Sequence, residues 1–294
     1  MTPWNCKSAT GMNDKLNSYI EKIKHLPATP TVLVRLISLF QQPDRDLDDI
    51  IKLMRQDPSL TAEVLRQSNS AYFGNEEPIV DIFDAVTRMG FYEVYRTATA
   101  RLGSQALRLP PGVCGADVEK LWHHSATAGV TAGVIAKSIQ DNEGLAFTAG
   151  LLHDIGKIVL AAAEGPAYKA LTEDLGDNGT ALDAAEKNRF GFGHAEVGGC
   201  LLVRWGLPEE ICMAVSGHHQ AGWVESFERV CAVVSLGNIM AHAAEATVPG
   251  GHYESPEAVA ALRLLGLAEE DMTTMLQNAQ EDIAHMTELL SDRR

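Results

Sequence analysis

"GLLHDIGKIVL", Gly150 to Leu160, holds a contradiction. Leu151, Leu152, Ile155, Ile158, Val159 and Leu160 carry the apolar spacing of a buried helix. His153, Asp154 and Lys157 stand among them, and such groups are costly to bury unless paired. A metal ion is the first candidate for what keeps them there. A phosphate held by the lysine is the second.

On either side the helical grammar continues. Downstream, "HAEVGGCLLVRWG" and "LPEEICMAVSGHH" follow, with Gly206 as a stop and Pro208 near the next start. "ERVCAVVSLGNIMAHAAEA" is a long apolar helix, and two short helices are expected to finish the chain. Upstream, Asp46 is placed to cap "LDDIIKLMRQ", with acids in its first turn suiting the helix dipole. Asp57 caps the next helix, Pro58 takes its first position, and Gly74 follows its end. Gly90 closes "DIFDAVTRMG". Neither alternating β-branched runs nor hairpin dipeptides interrupt the pattern. The fold class is all-α, in two helical subdomains. The expected division is an extension at 1–19, a helical subdomain at 20–108, a helical bundle at 116–247 and closing helices at 255–294. "LPPGVCG", Leu109 to Gly115, marks the boundary between the two subdomains.

Composition narrows the function. Hydrophobic residues make up 46% of the chain, enough for a substantial core. Lysine and arginine total 24 against 39 acids, a net charge of −15 that repels polyanions on average. With no basic run, nucleic acid is not an expected partner. No apolar signal region opens the sequence, and no apolar run reaches the ~20 residues of a membrane span, so no membrane association is expected. Five scattered cysteines without a CxxC pair exclude a zinc ribbon and suit a reducing cytoplasm. Cys200, Cys212 and Cys231 read as reduced core residues.

The histidines carry the chemistry. His124, in "LWHHSATAG", His153 with Asp154, His194 at the head of "HAEVGG", and His218 with His219 occupy successive helices. Imidazoles with a carboxylate favour Fe, Mn, Zn or Ni over Ca or Mg. A shared carboxylate can bridge two such ions and activate water beside a phosphate. A single buried histidine is more often a hydrogen-bonded core residue than a ligand. His123 is read that way, and His25, His252 and His285 as surface residues.

In that order, "LWHHSATAG", "AGLLHDIGK", "HAEVGG" and "LPEEICMAVSGHH" resemble the HD superfamily of metal-dependent phosphohydrolases. Upstream, "LPATPTVLVRLISL", "LMRQDPSLTAEVLRQSNSAYFG" and "IVDIFDAVTRMGFYEVY" resemble the HDOD domain, the HD-related output domain of bacterial signalling proteins. The resemblance covers roughly residues 20–245. It implies an all-α fold and a regulatory or scaffolding module. It assigns metal ligation to His124, His153, Asp154, His194, His218 and His219, with one or two divalent ions. Lys157 matches the lysine that contacts phosphate. Asn238 is the best match to the last ligand, an aspartate in the superfamily, and His242 lies one turn beyond it. "HHQAGWVES" lacks the DGxGYP continuation of the cyclic di-GMP phosphodiesterases, and Lys120 stands where some of those enzymes have a carboxylate.

The expectation is therefore a cytoplasmic bacterial signalling module that binds a protein partner or a small nucleotide-like ligand. The alternative is a phosphohydrolase in which Asp154 bridges the metals and Lys157 steadies a phosphate oxygen. A third reading makes the histidines a buried hydrogen-bonded network.

Overall fold

The computed structural model describes residues 12–22, 31–42, 46–74, 77–106, 118–175, 179–220, 222–223, 225–245 and 253–291. The described residues are helices and their connections, with no strand among them. "LPPGVCG", Cys6, Cys114, His25 and His252 fall outside them.

Six helices form the first part: α1 (Met12–Lys22), α2 (Thr31–Phe40), α3 (Leu47–Arg55), α4 (Pro58–Ser68), α5 (Ile82–Met89) and α6 (Phe91–Ala106). Their starts obey local chemistry. Asp46 Oδ1 accepts the Asp48 N–H at 2.9 Å, and Asp57 Oδ1 accepts those of Ser59 and Leu60 at 2.9 and 3.1 Å. Such a cap is worth about 1 kcal/mol over alanine. Gly90 ends α5 at φ 80°, a conformation that favours glycine. The α4 region differs from the sequence reading. The helix stops at Ser68 and a separate 3-10 turn, Ala71–Phe73, precedes Gly74. At the break, the Asn69 side chain exchanges two 2.8 Å hydrogen bonds with the Ile79 backbone.

The second part is built on α7 (Val118–Ser138). Around it lie α8 (Glu143–Leu152), α9 (Ile155–Glu164), α10 (Pro166–Leu175), α11 (Gly179–Phe190), α12 (His194–Trp205), α13 (Glu209–Gly217) and α14 (Glu228–Glu245). Small residues let these helices approach closely. A Cβ on Gly150 would stand 2.7 Å from the Ala128 carbonyl oxygen, and one on Gly237 would stand 3.0 Å from the same atom. Helices α8 and α14 thus press on α7 from two sides and carry their polar residues to it.

Among the described residues three helices, not two, follow α14: α15 (Pro256–Leu265), α16 (Glu269–Asn278) and α17 (Gln280–Ser291). Helix α17 returns to the first part. Asp282 takes a hydrogen bond from Tyr72 and faces Arg96 Nη1 at 3.5 Å. His285, expected at the surface, is instead buried and stacks on Tyr72 with ring centroids 4.1 Å apart. One apolar core runs from Leu16 through Phe40, Tyr95 and Phe147 to Leu289. Phe40 stacks on Tyr95 at 3.7 Å, and Tyr95 shares a 2.5 Å hydrogen bond with Thr148 on α8.

The opening stretch corrects two readings. It is not one helix, because α8 ends at Leu152 and α9 starts at Ile155, which leaves His153 and Asp154 at the junction. Nor is the chain without a long apolar segment: Glu143–Glu164 has the length and hydropathy of a membrane span. Most of that segment is buried inside the bundle, and the polar pair interrupts it. Helix α10 has no counterpart in the sequence reading; Gly165 and Pro166 are its stop-and-start signal.

Candidate metal centre

Asp154 is the hub. Its side chain is 1% exposed, and four elements turn toward it. Oδ2 lies 2.6 Å from Lys157 Nζ, 3.4 Å from His153 Nε2 and 3.9 Å from His124 Nε2. Oδ1 lies 3.3 Å from His194 Nε2 and 3.8 Å from His218 Nε2. His219 Nε2 is 3.0 Å from His194 Nε2. Every predicted site residue is therefore in one place. Asn238 reaches the group through His124, with Oδ1 2.9 Å from Nε2. His123, by contrast, is half exposed and lies 3.7 Å from Glu245.

Backbone geometry explains the convergence. His153 Nδ1 donates to the Gly150 carbonyl at 2.7 Å, and His218 Nδ1 donates to the Val215 carbonyl at 2.7 Å. Both residues follow a helix end, where the last carbonyls lack intrahelical partners. A carbonyl only accepts, so Nδ1 carries the proton and Nε2 presents a lone pair. Close approach of α9 and α12 completes the arrangement. A Cβ on Gly156 would fall 1.9 Å from the His194 carbonyl oxygen, so only glycine permits this spacing.

Electrostatics sharpens the picture. Burial would raise the Asp154 carboxyl, but neighbouring positive charge, with Lys157 Nζ 2.6 Å away, outweighs it and holds the group well below the usual carboxylate range. Burial pushes the His153 and His218 imidazoles below their ordinary value. Two neutral nitrogen lone pairs therefore face a carboxylate. His153 Nε2, His218 Nε2 and Asp154 Oδ1 are buried with no hydrogen-bond partner among the described residues. Lone pairs turned on an anion repel unless a cation lies between them, and buried orphan acceptors cost about 1–3 kcal/mol each. This donor set fits a divalent transition metal.

One residue of the site escaped the sequence reading. Glu186 on α11 is fully buried, and Oε2 accepts both the backbone N–H and the Nδ1–H of His194, at 2.6 and 2.7 Å. Tyr168 donates to its Oε1 at 2.8 Å. Burial works against protonation of His194, yet Glu186 and Asp154 lift it to about 9. Carboxylate–histidine pairs of this kind orient metal ligands. The available signal was an acid eight residues before His194 in "LDAAEKNRFGFGH", which periodicity alone does not single out.

The family model of the HDOD domain matches residues 26–221, more than half of the chain. The chain belongs to the HDOD domain family. A Geobacter sulfurreducens HDOD domain protein of unknown function has a similar structure, with TM-score 0.76 at 23% identity over 95% of this chain and 97% of that one. A Shewanella amazonensis SB2B protein, provisionally named a phosphohydrolase, aligns with TM-score 0.74 at 20% identity over 95% and 100% of the two chains. At these identities the likeness concerns the fold. A Treponema pallidum (strain Nichols) protein without an assigned function is 26% identical over 81% of this HDOD chain and 46% of its own length. Ribonuclease Y of Acholeplasma laidlawii (strain PG-8A) is 27% identical over 60% of this chain and 26% of its own. The HDOD chain thus spans less than half the length of these two curated relatives.

Proposed function

We propose that this HDOD chain is the output module of a bacterial signalling system, with its HD-type pocket retained as a buried metal centre rather than as a working phosphohydrolase site. Burial of the ligands carries this reading. His153 and His194 are 0% exposed and Asp154 and His218 are 1% exposed. A phosphoester must place an oxygen on the metal and leave room for an attacking water. Lys157 Nζ, which would meet a phosphate, sits on Asp154 instead.

Asp154, His153, His194, His218 and His219 would hold the ion, with His124 and Asn238 at its rim. A divalent ion held by these residues would supply positive charge to the facing lone pairs and the carboxylate, and would link the α8–α9 junction with α12 and α13. The residues themselves do the positioning: two carbonyls and Glu186 fix the rings, and Lys157 neutralises one carboxylate oxygen. Signal output would pass through binding of a protein partner on the helical surface.

A second reading, metal-dependent phosphohydrolysis of a nucleotide-like substrate, has its own support. Lys157 keeps 16% of its side chain open to solvent at one edge of the site, and the ribonuclease Y relatives align with part of this chain. The test is elemental mass spectrometry on untagged protein, paired with a phosphodiester screen. Metal lost in Asp154→Ala, with no turnover by the loaded protein, is the expected result. Turnover that requires both the metal and Asp154 would overturn it in favour of the second reading.

A further inference from the structure

His242 has no role in the centre described above, yet its Nε2 is buried without a hydrogen-bond partner among the described residues. It lies on α14 between Asn238 and Glu245. The spacing i, i+4, i+7 puts all three on one face. All three meet the same imidazole. His124 stands 2.9 Å from Asn238 Oδ1 through Nε2 and 3.2 Å from Glu245 Oε2 through Nδ1, with its ring centroid 4.4 Å from that of His242. Nitrogen atoms of His124 and His242 and an oxygen of Glu245 all lie within 4.8 Å of one another. His124 is the one residue this group shares with the group of His153 and Asp154.

A neutral imidazole has one lone pair, so His124 serves one cation at a time. On the Asp154 side the amide of Asn238 adds no charge to hold a metal. On the other side Glu245 supplies a carboxylate and His242 a second nitrogen. We infer a second cation seat, formed by His124 Nδ1, His242 and Glu245 at the rim of the pocket, that takes a divalent transition ion such as Zn2+, Co2+ or Ni2+. Two imidazoles and one carboxylate suit these ions, whereas Mg2+ and Ca2+ prefer oxygen alone. Tetrahedral ligands at zinc distances stand about 3.3 Å apart, so small side-chain rotations close the seat, with water in the remaining positions. In the seat the neutral His124 ring gives its Nδ1 lone pair to the ion and keeps its single N–H on Nε2, toward Asn238 Oδ1. The seat joins α7 to the end of α14 and does not depend on a metal at Asp154.

Asp154→Asn isolates it. Co2+ titration of the full chain, followed by visible absorption and by calorimetry, would compare wild type, Asp154→Asn, and Asp154→Asn combined with His242→Gln and Glu245→Gln. Wild type is expected to bind two equivalents and Asp154→Asn one. The triple variant should lose at least tenfold in the remaining affinity. In the wild-type background, His242→Gln with Glu245→Gln should remove one equivalent, which covers the case in which Asp154→Asn does not fold. If Asp154→Asn binds nothing while wild type binds, the rim seat is refuted and the central metal stands. Binding by Asp154→Asn that is unchanged in the triple variant also refutes it. If no form binds Co2+, both this inference and the central metal fall.

Discussion

Glu186 holds His194 by two bonds at once, one to the backbone N–H at 2.6 Å and one to Nδ1 at 2.7 Å. The carboxylate thereby fixes both the start of α12 and the plane of its first side chain. Glu186→Gln keeps the shape but leaves one acceptor oxygen for three donors, the third being Tyr168. Metal affinity should fall about 10- to 100-fold, the usual effect of losing such a support. Calorimetric titration with Zn2+ checks this, and circular dichroism should show an intact helical fold.

Gly156→Ala tests the helix approach itself. The new methyl would collide with a backbone oxygen at 1.9 Å, and backbone cannot swing aside as a side chain can. Overpacking of this kind costs about 1–3 kcal/mol or more. The displacement falls on His194, so metal binding should weaken together with the melting temperature. Gly222→Ala, with open space around its Cβ, is the control and should change stability by no more than about 0.5 kcal/mol. Equal losses in the two variants would remove the packing explanation.

These two glycine and glutamate roles show where the sequence was legible. Helix caps were, because Asp57 followed by Pro58 is a local signal with a local cause. The gathering of the histidines around Asp154 was, through their order along the chain. The break between α8 and α9 was not, since the apolar period runs unbroken from Leu151 to Ile158 and only tertiary placement of Asp154 interrupts the helix. Glu186 and His285 were not, because burial of a lone polar residue depends on which distant helix covers it. For His285 that cover is Tyr72, 213 positions earlier in the chain.

His285 gives the pH dependence. Burial, followed by the nearby Arg96 charge, lowers its pKa below the ordinary 6.5. Asp282 and Glu288 on the same helix act in the other direction, and Arg66 adds to the lowering. With a folded value below the unfolded one, the unfolded chain binds more protons as the pH falls below 6.5. The contribution of His285 is therefore intact above 6.5 and is lost progressively as the pH drops toward the folded value. His285→Phe keeps the stack on Tyr72 and removes the titration. Melting temperatures from pH 7.5 to 5 should converge on the acid side, with wild type losing more than the variant. Parallel curves would assign the acid sensitivity to other groups.

Lys157 tests the charge balance around the hub. Its ammonium is the cation nearest the buried Asp154, at 2.6 Å. Lys157→Met would leave that carboxylate without its closest counter-charge, and breaking a buried pair from one side costs about 3–5 kcal/mol. The metal-free variant should melt well below wild type. Zn2+ should then raise its melting temperature by more than it raises that of wild type, because the ion replaces the missing charge. An equal rise in both proteins would mean that Lys157 and the metal do not share Asp154.

Asn238→Asp tests the position at which the resemblance to the HD superfamily implies an aspartate. The residue is 4% exposed and faces His124 Nε2 at 2.9 Å. A carboxylate there would stand near Asp154, where His124 Nε2 is only 3.9 Å from Oδ2. Without metal the two like charges repel in a medium that screens them poorly, and the variant should be less stable than wild type. With metal the sign reverses, since a second carboxylate and His124 Nε2 complete a bridged pair of sites around Asp154. The variant should gain affinity for Mn2+ or Fe2+ by at least tenfold, and its melting temperature should pass that of wild type once loaded. Thermal melts with and without metal give both signs in one experiment. Unchanged affinity would mean that Asn238 lies outside the reach of any ion at Asp154, and that the amide serves only to hold His124.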